Sequence, residues 1–230
     1  FSGKKIIFGG RISSIIYCKK KPRLINPITI DIYSDTICPW CYIGHNKLQS
    51  AINSASQIKF NLVWRPFQLN PDMPDEGIAR QKYLEVKFGS KQNAQNTYQS
   101  IYDVGIKNNI HFQFEKIKKT PNSFASHKLL AIAYRLNRQS SVLEALFYAY
   151  FIEGIDISNI KQLIIIAKQQ NIYDDKTLQY LKSDEDKDSL LAEETHAREL
   201  GIKVVPCFII NKEFVLFGAQ DEKNFLNIFN

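Results

Sequence analysis

The residues best suited to chemistry in this chain are Cys38-Pro39-Trp40-Cys41. Two cysteines with two residues between them can close a small disulfide ring, so the pair can cycle between dithiol and disulfide. A strand-like run, residues 28–35 (ITIDIYSD), leads directly into the motif, and a helical pattern (Leu48, Ala51, Ile52, Ala55) follows it. Cys38 is therefore expected at or near a helix N-cap, with Pro39 at the first helical position, where its missing N–H costs nothing. The partial positive charge and free N–H groups of a helix N-terminus favour a thiolate over a thiol. The expectation is an acidic, exposed, nucleophilic Cys38 and a more sheltered Cys41 one turn further in. Zinc binding would need a second ligand pair. Cys18 and Cys207 stand alone, and His45, His111, His127 and His196 form no tight pair. A structural disulfide is the other plain reading of the motif.

The elements that must position this pair follow from periodicity and punctuation. Residues 28–35 read as a central strand with Ile28, Ile30 and Ile32 on one face. A helix over residues 39–55 and a second strand over 58–67 come next, then a two-proline loop at 68–74. From Gly77 to Gly201 the pattern is helical, with no strand signal of note. Helices are expected over 79–88 (ended by Gly89), 92–104 (ended by Gly105), 122–136 with an Asn cap, 141–152 and 158–170 with Ser caps, and 184–200. Tyr83, Tyr98, Tyr102, Phe147, Tyr148, Tyr150 and Phe151 are expected to pack between these helices. Strands then return at 204–211 and 213–217, around a turn at Asn211-Lys212, and a short helix closes the chain at 221–229. The strand–helix junction carrying the CxxC gathers the strands into a single sheet unit, with the helical insert packed over one end of it.

Size and charge bound the partners. At 230 residues and 44% hydrophobic content the chain can bury a full core without disulfides. No apolar run approaches the about 18 residues of a membrane span. The net charge of +7 is confined to residues 1–27, which hold seven of the 30 basic residues and no acid. The remaining 23 basic residues balance the 23 acidic ones. Any electrostatic partner (RNA, anionic lipid or an acidic protein face) is therefore sought at the arm. An acid-free, Arg/Lys/Ser-bearing start resembles a mitochondrial targeting sequence or the region after it. Mitochondrial location, with the cytoplasm as the other option, and tethering to a large mitochondrial assembly are the expectations that follow. Cys18 in this arm reads as an exposed free thiol.

Taken together, the blocks SDTICPWCYIG (34–44), WRPFQLNPDMPDEG (64–77), KFG (87–89), PNSFASHKLL (121–130), AYFIEG-DI (149–157) and VVPCFIIN-FGAQ (204–220) resemble the DsbA-like thioredoxin superfamily, most closely its FrnE branch. The resemblance implies an α/β, thioredoxin-like fold with a large all-helical insertion. Its units would be an arm at 1–27, a thioredoxin-like domain from 28–76 and 202–230, and an insert at 77–201. It implies thiol–disulfide exchange with thiol and disulfide substrates, with Cys38 and Cys41 catalytic. Pro39, Trp40, Val205, Pro206 and His127 would line the substrate, and the Val205-Pro206 bond would be cis and lie against the CxxC. No metal or nucleotide is required, and glutathione fits as a co-substrate. Gly218-Ala219-Gln220 would pack beside the active-site helix. Glutathione-dependent isomerases and transferases of the same superfamily are the rival enzyme class, but they typically lack the intact cysteine pair. Two positions depart from the family pattern. Cys207 follows the expected cis proline, where it could resolve a mixed disulfide or, as strand alternation and its small apolar side chain favour, fill the core. His45 replaces a basic residue on the first helix and is expected on a solvated face.

Overall fold

The computed structural model describes residues 5–7 and 27–229. Expectations for the rest of the arm, Cys18 included, lie outside these residues. In chain order the strands and helices are β1 (Lys5–Ile7), β2 (Ile28–Ser34), α1 (Pro39–Ser54), β3 (Phe60–Pro66), β4 (Ile78–Ala79), α2 (Arg80–Phe88), α3 (Lys91–Lys107), β5 (Lys119–Thr120), α4 (Phe124–Arg135) and α5 (Gln139–Tyr148). They continue through α6 (Ile160–Gln169), α7 (Asp175–Lys182), α8 (Lys187–Glu199), β6 (Cys207–Ile210), β7 (Phe214–Phe217) and α9 (Glu222–Phe229). The fold is thioredoxin-like α/β, with helices inserted between β3 and β6.

One five-stranded sheet runs in the order β1-β7-β6-β2-β3. β2 pairs parallel with β3 and antiparallel with β6, β6 pairs antiparallel with β7, and β1 joins the far edge parallel to β7. The tight β6–β7 turn places Asn211 and Lys212 at φ 51° and 60°, a left-handed pair suited to a two-residue hairpin. Ile28, Ile30 and Ile32 are all at most 1% exposed. Register puts Ile32 beside Trp64 and Phe208, and Phe208 packs edge-on to Phe225 at 4.9 Å. This apolar face is covered by α1 and α9, which are also stitched together where Ser50 and Ser54 donate to Glu222. The outer edge of β3 would expose unpaired backbone groups. Gln139 closes it: its amide accepts from Trp64 N and donates to Trp64 O, both at 2.9 Å.

The insert meets α1 through an aromatic cluster. Tyr42 stacks on Phe147 at 5.0 Å and stands edge-on to Phe112 at 6.0 Å, and Phe147, Tyr150 and Phe151 are fully buried. Tyr148, expected in the same packing, is instead 52% exposed. Other boundaries also move. Gly105 does not end its helix: α3 runs through it to Lys107, because a Cβ there would lie 2.6 Å from the Phe112 ring. The helix expected over 141–152 ends at Tyr148 and continues as a π turn, Ala149–Glu153, closed by Gly154 at φ 74°. Asn159 rather than Ser158 caps α6, accepting from Lys161 N. The insert also holds a two-residue antiparallel ladder of β4 and β5, and α7 has no counterpart among the expected helices.

Candidate active site

The site is built where β2 stops and α1 starts. Asp35 is fully buried and holds the turn between them. Its carboxylate accepts from Ile37 N at 3.2 Å and from Leu69 N at 2.7 Å, and its backbone carbonyl accepts from Cys38 N at 3.1 Å. One acidic side chain thus fixes both the CxxC turn and the proline-rich loop after β3. Thr36 Oγ1 and Ser126 Oγ, 2.7 Å apart, tie the same turn to α4. The sequence alone does not single out these residues. An Asp that bonds the backbone N–H two residues on is a known turn-forming signal, but its second partner, Leu69, is visible only in the fold.

Cys38 occupies the N-cap with an extended backbone (φ −94°, ψ 113°), and Pro39 follows at the start of the helix. Cys38 O accepts from Cys41 N and Tyr42 N. The expected exposure of Cys38 is corrected: the residue is only 4% exposed, and Cys41 is fully buried. The reason is the partner segment across the turn. Cys38 Sγ lies 3.9 Å from Val205 O, and the Val205–Pro206 bond is cis. Pro206 in turn rests on α1. A Cβ at Gly44 would fall 2.7 Å from Pro206 Cγ, so only glycine permits this approach. Gly218 N donates to Pro206 O at 2.7 Å, and Lys47 reaches Ala219 O and Asp221 from α1. The 218–220 segment therefore packs beside this helix. Trp40 and Val204 flank this approach and remain open to solvent, at 39% and 54%.

The three described cysteines are free thiols in unequal settings. Burial pushes the Cys41 thiol well up, and the neighbouring Cys38 adds to the effect. The Ser34 hydroxyl and the backbone at Asp35 act in the opposite direction. Cys207 sits in register with Tyr33 on the sheet face opposite Phe208, and burial alone pushes its thiol up to about 12. It is a core residue facing away from α1.

His45 is not where a surface reading puts it. His45 is 1% exposed, and its Nε2 is bonded to Glu144 of α5 at 2.8 Å. Its ring lies against Trp64 at 5.2 Å. Burial under α5 overturns the solvated face expected for it. His127 is 3% exposed, with Nε2 3.8 Å from Asp35 Oδ1. It thus lies beside Asp35 at the turn, with its Nε2 outside hydrogen-bond reach of the carboxylate. A groove of about 670 Å³ between α1, α5 and α6 includes Tyr42, Glu144 and Tyr148 but neither cysteine.

With this geometry in view, the model of the DSBA-like thioredoxin domain matches residues 29–230. The chain belongs to this family. The uncharacterized Bacillus subtilis protein YwbO is 26% identical over 199 residues, spanning 86% of this chain and 94% of its own. Among solved structures, a probable DsbA oxidoreductase from Streptomyces coelicolor superposes with a TM-score of 0.79 at 22% identity, covering 87% of this chain and 88% of its own. The cytosolic disulfide reductase DsbM from Pseudomonas aeruginosa, with GSH, gives 0.56 at 16% identity, covering 86% and 92%. At these identities the structural likenesses speak to the DsbA-like fold alone.

Proposed function

We propose that this DsbA-like protein is a thiol–disulfide oxidoreductase of the FrnE type, working through Cys38 and Cys41. The Cys38 thiolate attacks a substrate disulfide, forming a mixed disulfide and releasing one thiolate. Cys41 then attacks Cys38 Sγ, the mixed disulfide breaks, and the Cys41 proton accompanies the departing thiolate. The reverse sequence oxidises a dithiol substrate. The observation that carries this reading is the 3.9 Å approach of Cys38 Sγ to the carbonyl of a cis Val205–Pro206 bond. With the backbone of the cis-proline segment this near the sulfur, a bound peptide can pair beside Cys38. Pro39 and Trp40 shape the ring and its exposed rim, and glutathione fits as a small thiol co-substrate.

The intact cysteine pair favours exchange over glutathione-dependent isomerisation, which needs no second thiol. The test is insulin reduction and dithiol oxidation by the wild-type protein and the Cys38→Ser variant. Activity should fall to background in the variant; equal activity in the two would sink the assignment.

A further inference from the structure

The groove of about 670 Å³ between α1, α5 and α6 takes no part in the exchange steps. Its α1 wall is Tyr42 and Asn46. Tyr42 N donates to Cys38 O at 3.3 Å. Tyr42 therefore stands one helical turn below Cys38, and Asn46 one turn below Tyr42, on one face of the helix. At about 1.5 Å of rise per residue, this wall starts about 6 Å along the helix from Cys38 and ends about 12 Å along it. An extended peptide advances about 3.3 Å per residue. A chain held at Cys38 and running along α1 thus enters the groove about two to four residues from its own cysteine.

Two carboxylates, Glu144 and Glu153, line the groove, and no lysine, arginine or histidine among the described residues joins them there. Glu144 is anchored at one oxygen, where Oε1 takes the bond from His45 Nε2 at 2.8 Å, and its side chain is 56% exposed. Glu153 is exposed, and its side chain has no ion-pair or hydrogen-bond partner among the described residues. Lysines on the flanking helices are engaged elsewhere or stand outside the lining. Lys47 pairs with Asp221 at 2.8 Å, and Lys168 lies 4.7 Å over the Tyr173 ring. Lys161 is outside the lining. Beside the carboxylates, Tyr148 and Ile165 are half-exposed. Apolar surface next to unpaired negative charge matches a side chain with an aliphatic stem and a cationic head. The Tyr148 ring adds a face for that cation. Lysine and arginine have this form.

We propose that the groove holds a lysine- or arginine-bearing segment of the polypeptide whose disulfide Cys38 attacks, so that disulfides flanked by basic residues are the preferred substrates. The inference rests on the exchange reading above and adds a substrate class to it. No bond is made or broken in the groove. Attraction there raises the encounter rate and holds the chain beside Cys38.

The test uses two disulfide-linked peptide dimers, identical except for lysines or glutamates placed about two to four residues from the cystine on either side. At low ionic strength the reduced wild-type protein should react about tenfold faster with the lysine peptide, and about 1 M salt should bring the two rates within about twofold. Glu144→Gln/Glu153→Gln should lose most of that ratio at low salt. Glu153→Lys, which leaves the His45–Glu144 bond in place, should bring it near one. Equal rates for the two peptides in the wild type would overturn the proposal, as would a ratio that survives both variants. A synthetic peptide of residues 8–26 that binds the groove, while the disulfide peptides go undiscriminated, would give it to the protein's own basic arm instead. Failure of the exchange reading looks different: Cys38→Ser would then match the wild type on both peptides, whatever their charge.

Discussion

Cys41 and Cys207 are equally buried, at 0% exposure, yet they sit in opposite chemical settings. Cys207 faces Tyr33 across the sheet, and only burial acts on its thiol. Cys41 has a second thiol, a hydroxyl and a backbone group around it. Burial alone makes a thiol inert; what is packed beside the sulfur decides whether it can react. The sharpest way to break this contrast is to replace each cysteine by serine. Cys41→Ser should cut turnover by about two orders of magnitude or more, since the mixed disulfide on Cys38 can no longer be resolved from within. Mass spectrometry should find the trapped adduct. Cys207→Ser should keep exchange rates within about twofold and instead lose about 1–3 kcal/mol of stability in urea melts, from a hydroxyl buried without a partner. Lost turnover in Cys207→Ser with stability intact would mean that the third thiol belongs to the chemistry after all.

The same strand offers a second test through its other face. Pro206 and Phe208 lean on Gly44, where an added Cβ would meet them at 2.7 Å and 3.3 Å. The helix cannot yield easily, because Lys47, Ser50 and Ser54 fasten it to residues 219–222. Gly44→Ala should therefore cost about 1–3 kcal/mol through overpacking. It should also slow attack by Cys38 on a substrate disulfide, since the Val205 carbonyl and Cys38 can no longer keep their spacing. Full exchange activity with the expected loss of stability would show that the cis-proline segment need not sit so close for Cys38 to react.

The features of this site that are local in sequence were legible there. The alternation of Ile28, Ile30 and Ile32, followed by Pro39 at a helix start, located β2, α1 and the CxxC junction from side-chain period and backbone chemistry alone. What could not be read depends on contacts made across the insert. The approach of Val205, 167 residues away, to Cys38 was implied by the family resemblance but not by the residues around Cys38, so the burial it imposes on that thiol was missed. His45 is bonded to Glu144, 99 residues away, a pairing that leaves no trace near either residue. Gly105 misled because glycine ends helices by its backbone freedom, whereas here its lack of a side chain admits the Phe112 ring. The helix α7 was findable. Asp174 and Thr177 form a reciprocal capping box at its start, but its short, polar sequence shows little apolar period.

The His45–Glu144 bond puts the contrast between contact and distance to its mildest test. Glu144 belongs to the insert, and His45 lies one turn beyond Cys41, so the pair joins the insert to the active-site helix. The His45 hydrogen bond holds the Glu144 carboxyl below its usual range, against a smaller opposing effect of burial. A depressed carboxylate adds stability that is fully present above its unfolded value, about 4.3, and is lost as pH falls through the folded value. Glu144 is 56% exposed, so solvent screens much of the interaction. Glu144→Gln should thus cost less than about 1 kcal/mol at neutral pH, and in melts the difference from wild type should shrink as pH falls below about 4.3 and through the lower folded value. If only direct neighbours govern the buried thiol, the rate of thiol–disulfide exchange with an uncharged small disulfide should be unchanged in this variant. A clear slowing would show instead that the charge reaching α1 from the insert controls Cys41.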